Sequence, residues 1–272
     1  MTRIAYLGPA GTFTEQAARQ FDIAGAEYVP VDSPSAALAA LSRGADYAVC
    51  AIENSIDGAV TATSDALAAT SGVQIVGETE LSIAFAVMTA PGRTLADAAR
   101  LATHPVAYQQ VKCWLSKHAP NAKFVPAASN AAAAQMVADG QADVAVAPER
   151  AAELFGLEVH ATGVADSETA RTRFVLVAKQ GPLPAATGAD RTAVVLRTPN
   201  EPGALVGVLQ EFATRGVDMS RIESRPTREA PNTYQFFIDV VGHAEDATIA
   251  EALRAVEKQA DSVLFLGSWP RA

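Results

Sequence analysis

The order of strands and helices predicts an α/β protein built from a larger strand–helix domain and a smaller βαββαβ sandwich. Three observations carry that expectation. Up to about residue 177, short apolar runs alternate with segments of helical spacing, as in parallel α/β layering. Residues 179–191 are then rich in Pro and Gly and read as a linker. Beyond it the chain runs strand, helix, strand, strand, helix, strand, the order of a ferredoxin-like sandwich.

Composition supports a chain of this size with an ample core. Hydrophobic residues make up 49% of the 272 and charged residues 19%. The formal net charge is -9 and there is no Lys/Arg block, which disfavours nucleic acid or an anionic membrane as partner. An anionic ligand must therefore be met by local Arg, Lys or backbone donors. Cys50 and Cys113 have neither metal-like nor disulfide-framework spacing, and read as buried thiols in a reducing compartment. The N-terminus is too short and too quickly interrupted for a signal peptide, and no run of roughly 18 apolar residues predicts a membrane span. A soluble, cytoplasmic protein is expected.

Residues 4–7 read as a strand, followed by Gly8-Pro9-Ala10-Gly11-Thr12 and a helix over 13–21 that Thr12 or Thr14 caps. Such a turn brings backbone and helix N–H groups near an anion, or simply turns the chain. A strand at 27–31 and a helix at 33–43, capped by Ser33 or Ser35, follow. The strand 47–52 runs into Glu53-Asn54-Ser55 and Gly58. These polar side chains stand at a strand's carboxyl end, where open α/β sheets bind ligands, or form a polar turn before a helix at 62–69. Strands are expected at 73–76 and 81–88. Another ends at Ala102-Thr103-His104-Pro105, with His104 a base or a structural hydrogen bonder. A helix at 108–117 carries Gln110. Then come a strand at 123–126, a helix at 129–139 capped by Ser129, a strand at 144–147 and a helix at 149–155. The second domain reads as strand 192–197, a helix from Asn200-Glu201-Pro202-Gly203 to about Arg215, and strands 219–226 and 233–241. A Pro231-Asn232 turn joins those two strands, before a helix at 247–259 and a strand at 263–267.

Ala170-Arg171-Thr172-Arg173-Phe174 opens an apolar strand with a hydroxyl and two guanidinium groups at its mouth. Arginine's planar fork fits a carboxylate, so Thr172 and Arg173 are a candidate site for an anionic small molecule; the alternative is a solvated strand start. No metal-spaced Cys/His cluster, phosphate loop, nucleophile elbow or Schiff-base lysine motif stands out. Hydroxyls, amides and arginines at strand ends suit binding a polar anion and moving one proton, and do not suit hard redox chemistry, which would need a cofactor.

Several of these segments resemble, in order, the signatures of the prephenate dehydratase family. They are Gly8 to Thr14, Glu53-Asn54-Ser55 with Gly58, Val60 and Thr63, Thr103-His104-Pro105 with Gln110, and Thr172-Arg173-Phe174. Gly203-Ala204-Leu205-Val206 and Glu223-Ser224-Arg225-Pro226 resemble the phenylalanine-sensing positions of an ACT domain. The resemblance covers nearly the whole chain and points to a monofunctional form. It departs from the family at Ala170 and Val106, where Asn and Gln are usual.

The resemblance implies a two-lobed, periplasmic-binding-protein-like catalytic domain over residues 1–180. Lobe 1 would take 1–76 and 160–180, and lobe 2 would take 77–159. A linker at 181–190 and an ACT regulatory domain at 191–272 would follow. It implies the conversion of prephenate to phenylpyruvate in phenylalanine biosynthesis, with loss of carbon dioxide and the ring hydroxyl and without metal or cofactor. Thr172 is implied as the catalytic group at the departing hydroxyl, as proton donor or, preferred on its weak acidity, as hydrogen-bond donor only, and Arg173 as the partner of a substrate carboxylate. Phe174, Gly11, Thr12, Glu53, Asn54, Ser55, Thr103 and Gln110 are implied to complete the substrate site, with Glu53 alternatively orienting its neighbours. Asn200, Gly203, Ala204, Leu205, Val206, Glu223, Ser224, Arg225 and Pro226 are implied to bind phenylalanine at a subunit interface of a homodimer or homotetramer. An arogenate dehydratase, or a non-catalytic amino-acid-responsive binding module, are the alternatives.

Overall fold

The protein, a computed structural model, is described over residues 1–166, 169–227 and 233–272. The expected Pro231-Asn232 turn lies outside the described residues. The first lobe begins with β1 (Arg3–Leu7), α1 (Phe13–Gln20), β2 (Glu27–Val31), α2 (Pro34–Ser42), β3 (Tyr47–Asn54), β4 (Gly58–Ala59), α3 (Thr61–Ala69) and β5 (Val73–Ser82). The second lobe holds β6 (Ala86–Thr89), β7 (Arg100–Thr103), α4 (Pro105–Gln110), α5 (Lys112–His118), β8 (Lys123–Pro126), α6 (Asn130–Ala138), β9 (Val144–Ala147), α7 (Glu149–Phe155) and β10 (Glu158–Ala161). The chain re-enters the first lobe as β11 (Arg171–Lys179). The last domain is β12 (Asp190–Arg197), α8 (Ala204–Ala213), β13 (Met219–Pro226), β14 (Tyr234–Val241), α9 (Ala247–Glu257) and β15 (Ser262–Pro270).

Local signals explain several helix starts. The Thr12, Ser33 and Ser129 side chains accept the third-position N–H of α1, α2 and α6, and Pro34 opens α2. The helix expected at 108–117 is instead two. α4 starts at Pro105 under a His104 side-chain cap, and the path breaks at Val111. The Asp166 carboxylate then accepts from Cys113 and Trp114 N–H and restarts the helix as α5. A distant residue supplies that cap, so local spacing does not reveal it.

The first lobe's sheet runs β5-β11-β3-β1-β2, and the second lobe's runs β10-β6-β9-β7-β8. The parallel layering expected from the sequence holds for β2, β1 and β3 and for β8, β7 and β9. It fails for β11, which is antiparallel to β3 and β5 because the chain returns from the second lobe through the far end of the sheet. The expected lobe boundaries also shift. β5 pairs along β11 as far as Ser82, so the first crossing lies after residue 82 rather than at 76. β10, unforeseen, pairs with β6 and keeps residues 158–161 in the second lobe. The two crossings lie side by side, with Ile83 N–H bonded to Ala170 carbonyl and Val164 N–H to Phe85 carbonyl. The apolar run expected as one strand over 81–88 is therefore the end of β5, a crossing, and β6.

The last domain has the sheet order β13-β14-β12-β15, as the βαββαβ reading requires. It is not a separate body on a loose linker. β15 meets β5 at Gly267 and Ile75, joining the two sheets. A Cβ on Gly267 would lie 2.3 Å from the Ile75 carbonyl oxygen, so this contact needs glycine. One hydrophobic cluster takes Leu67, Ile75, Val175 and Val177 from the first lobe and Val195, Phe237, Leu266 and Trp269 from the last domain. The connecting segment is pinned by bonds from the Gln74 amide to Pro182 carbonyl and between His243 and Pro184 carbonyl. No helix among the described residues is long and apolar enough to cross a membrane.

Trp269 is fully buried in the shared cluster. Trp269→Ala is expected to cost about 3–5 kcal/mol in chemical denaturation. Because the cluster belongs to both domains, the loss is expected in a single shared transition.

Candidate functional site

The site grows from β11. Along a strand successive side chains face opposite ways. Thr172 and Phe174 therefore look into the cleft between the lobes, and Arg173 looks away. Thr172 sits opposite Asn54 of β3 in the ladder. The Asn54 carbonyl oxygen accepts the N–H groups of Ile56 and Asp57, which leaves its NH₂ to donate to Thr172 Oγ1 at 2.9 Å. Thr172 thus accepts from Asn54 and keeps its own proton for a group in the cleft.

The cleft has two adjoining parts. One, about 280 Å³, is walled by Phe13, Ile83, Phe85 and Phe174, with Asn54, Thr172 and Gln110 on its polar side. Phe13 and Phe85 meet edge to face. The other, about 630 Å³, lies against the N-terminal ends of α1 and α6, with Thr12, Thr14, Ser129 and Asn130 in its wall. Phe13, Thr14, His104 and Asn130 line both. Neither part has a Lys or Arg among its described lining residues. The free N–H groups of two helix starts are its electropositive feature.

Of the residues expected at the substrate, Thr172, Phe174, Asn54, Gln110 and Thr12 line the cleft. Gln110 reaches from the second lobe to Asp57 of the first at 3.1 Å, and its carbonyl oxygen is buried without a partner. Thr12 lines the wall, but its hydroxyl is spent on α1 and on the Leu7 carbonyl.

Other expectations are corrected. Arg173 is 5% exposed and donates to Glu53, Glu78 and Asp239, so it holds no substrate carboxylate. Burial alone would lower its pKa, but the Asp239 and Glu78 carboxylates raise it. Glu53 lies on the same far face with Arg173. Ser55 is bound to the entry of β11, accepting from Arg171 N–H and donating to Thr169 carbonyl. The Thr103 hydroxyl is fully buried on the Val146 carbonyl and Asn130 Oδ1, so it orients Asn130 rather than touching a ligand. Gly11 N–H is taken by Glu15 at 2.6 Å. That glycine, at φ +87°, serves the turn and its packing against Ala131, Ala151 and Leu154. Arg171 is exposed and faces Glu80 at 3.6 Å.

The sequence reading did not place Thr14, Asn130 or Ser129 at the site. Thr14 and Ser129 read as caps, and Asn130 had no signal beyond following one. His104 read as base or structural bonder, and the structure places it on both parts of the cleft. Its Nδ1 accepts Val106 N–H, so the neutral ring carries its proton on Nε2. Burial lowers its pKa below the ordinary 6.5, against an opposing pull from Asp57.

The expected phenylalanine-sensing residues divide. Gly203, at φ +86°, opens α8 with free space around it; Ala204, Leu205 and Val206 form the first turn, with Val206 well exposed. Asn200 lines a cavity of about 380 Å³ with Arg197, Thr198 and Tyr234. Ser224 and Pro226 are exposed. Glu223 and Arg225 face the other way, onto α3, and are engaged there. Glu223 holds Ser64 and Arg221, and Arg225 binds Asp65 through both ends of its fork, at 3.0 and 2.7 Å.

Comparison with known proteins agrees with this layout. The family model described as prephenate dehydratase matches residues 4–182, and that for the ACT domain matches residues 192–258. A prephenate dehydratase of Corynebacterium glutamicum is 55% identical over 99% of this chain and 88% of its own length. The crystal structure of a prephenate dehydratase from Arthrobacter aurescens in complex with L-Phe matches with a TM-score of 0.94 and 41% identity, over 100% of this chain and 90% of that one. A protein described as a novel type of quorum-quenching acylase matches with a TM-score of 0.90 and 35% identity, over 99% of this chain and 98% of that one.

The His104 shift has a consequence for stability. Its pKa is lower folded than unfolded, so between the two values the unfolded chain binds more protons and stability rises with pH. Urea denaturation is expected to show a loss of stability as pH falls from about 7.5 through the ordinary imidazole range. His104→Asn, which keeps a cap for α4 without the titration, is expected to flatten that dependence.

Proposed function

The chain belongs to the prephenate dehydratase family, and we propose that the cleft face of β11 carries its reaction, with Thr172 at the departing hydroxyl. In that reaction the ring–carboxylate bond breaks and carbon dioxide leaves. Its electron pair enters the ring and expels the hydroxyl from the opposite carbon. The hydroxyl takes up one proton, drawn from solvent, and leaves as water, giving phenylpyruvate. The chemistry is that of a carbon–oxygen lyase.

The observation that carries the proposal is the Asn54–Thr172 hydrogen bond with Asn54 as donor. It leaves the threonine proton directed to the cleft, beside the apolar wall of Phe13, Phe85 and Phe174 that suits a ring becoming aromatic. A threonine hydroxyl is a very weak acid. Its role is to hydrogen-bond the oxygen as negative charge grows there, with aromatisation as the driving force. The substrate's carboxylates lie in the wider part of the cleft, toward the helix starts of α1 and α6 and the Thr14, Ser129 and Asn130 side chains. Neutral donors suit this step better than an arginine fork. A tight ion pair on the leaving carboxylate would favour the ground state, because that group loses its charge in the transition state.

The acylase description of one relative supplies a second reading for the same cleft. Amide hydrolysis needs a nucleophile next to a base. The group bonded to Thr172 is the Asn54 NH₂, a donor, which disfavours that reading.

Phenylalanine is the effector in this reading. Support comes from the ACT match, the relative crystallised with L-Phe, and the open start of α8 at Gly203. A second copy of the chain would cover the exposed Val206 of α8 and Ile222 of the edge strand β13, completing a homo-oligomer.

Phenylpyruvate formation from prephenate, followed at neutral pH, tests the proposal. Thr172→Ala is expected to lower kcat at least about a hundredfold with KM little changed, and Thr172→Ser to keep much of the rate. Full turnover in Thr172→Ala would remove the residue from the mechanism. Arogenate run in parallel assigns the preferred substrate. Added phenylalanine is expected to change turnover, and Gly203→Val to blunt that change.

A further inference from the structure

Two pairs of residues stand back to back on the β11–β3 ladder. Thr172 lies opposite Asn54, and Arg173 lies opposite Glu53. The first pair faces the cleft and the second lies directly behind it on the other face of the sheet. Arg173 Nη2 is 3.1 Å from Glu53 and 2.7 Å from Asp239 of β14, and Nη1 is 3.1 Å from Glu78 of β5. One guanidinium thus ties three strands of the catalytic lobe to the ACT domain.

The tie is buried and ramified. The Arg173 side chain is 5% exposed, and those of Glu78 and Asp239 are 2%. Asp239 also lies 3.6 Å from the guanidinium groups of Arg191 and Arg221. Burial makes the Glu78 and Asp239 contacts sensitive to small displacements, because water is not there to replace a lost partner, whereas the Glu53 side chain is 42% exposed and keeps one side in solvent. The ladder between β11 and β3 also shifts register between Arg173 and Phe174. An irregularity of this kind bends a strand locally and re-aims its side chains. The extra residue is Ile52 of β3, so the bend falls in β3 beside Glu53 and Asn54, the partners of Arg173 and Thr172, while β11 stays in register with β5 there.

We infer that Arg173 is a positioning residue for the dehydration. By holding Asp239 of the ACT domain together with Glu53 and Glu78, it sets the Thr172–Asn54 hydrogen bond and makes turnover depend on where the ACT domain sits. Arg173 touches no part of the cleft and acts through Thr172. The inference rests on the assignment of the departing hydroxyl to Thr172.

The test compares kcat and KM for prephenate in the whole chain and four variants: Arg173→Lys, Asp239→Asn, Thr172→Ala, and the double variant Thr172→Ala with Asp239→Asn. Arg173→Lys keeps the charge and loses the fork. Asp239→Asn keeps the shape and loses the charge, on a domain none of whose described residues lines the cleft. It carries the test if Arg173→Lys does not fold. Each is expected to lower kcat about ten- to a hundredfold, with KM moving much less. In the Thr172→Ala background Asp239→Asn is expected to have no further effect on the residual rate, because both act through one hydroxyl. Unchanged kcat in folded Arg173→Lys and Asp239→Asn would overturn the inference. So would a raised KM at constant kcat, which would make Arg173 a substrate holder. Full retention of the Asp239→Asn effect in the Thr172→Ala background would make the network merely structural. If Thr172→Ala alone keeps full turnover, the Thr172 assignment fails and the inference fails with it. If Thr172→Ala is impaired while the other two are not, only the inference fails.

Discussion

The guanidinium of Arg173 is the contact on which the arrangement of the molecule turns. It collects carboxylates from β3, β5 and β14, strands far apart in the chain. A buried ion cluster of this kind is not a large source of net stability, since desolvation offsets much of the attraction. Its effect is on uniqueness. Removing one partner leaves a buried charge uncompensated, at a cost of about 3–5 kcal/mol, so alternative placements of the ACT domain are strongly disfavoured. The adjoining hydrophobic cluster around Trp269 supplies the non-directional part of the same interface, and the ions supply its register.

That cluster also explains why the cleft holds no arginine from this strand. A strand offers its two faces to alternate residues, so Thr172 and Arg173 cannot both serve one ligand. The cleft instead relies on hydroxyls, amides, one neutral imidazole and the starts of two helices. The Asn54 side chain is fixed by two backbone N–H groups, and Asn130 by Thr103 and the His104 N–H. These amides are preorganised by the chain itself, which suits a site that must meet charge as it moves rather than bind it tightly.

Much of this was legible in the residues. The strand–helix alternation, the βαββαβ order and the caps at Thr12, Ser33 and Ser129 follow from local chemistry; Thr172 and Asn54 were read as polar residues at strand ends and Gln110 from the family resemblance, and all three line the cleft. Asn130 was not legible, because its place depends on Thr103 and His104 of another element. The break between α4 and α5 was not, because its cap is Asp166. The reversed direction of β11 was not, because apolar runs carry no sign of orientation.

What the sequence determined by itself is the set of elements, the family of the chain, and the fact that a hydroxyl and a guanidinium adjoin on one strand. Only the tertiary structure decided what each of those two groups faces. Alternation says that they point apart, but the cleft on one side and the ACT domain on the other are assembled from segments far apart in the sequence. The face that Arg173 looks onto therefore holds Asp239, 66 residues further along the chain, and not the cleft that its neighbour Thr172 lines.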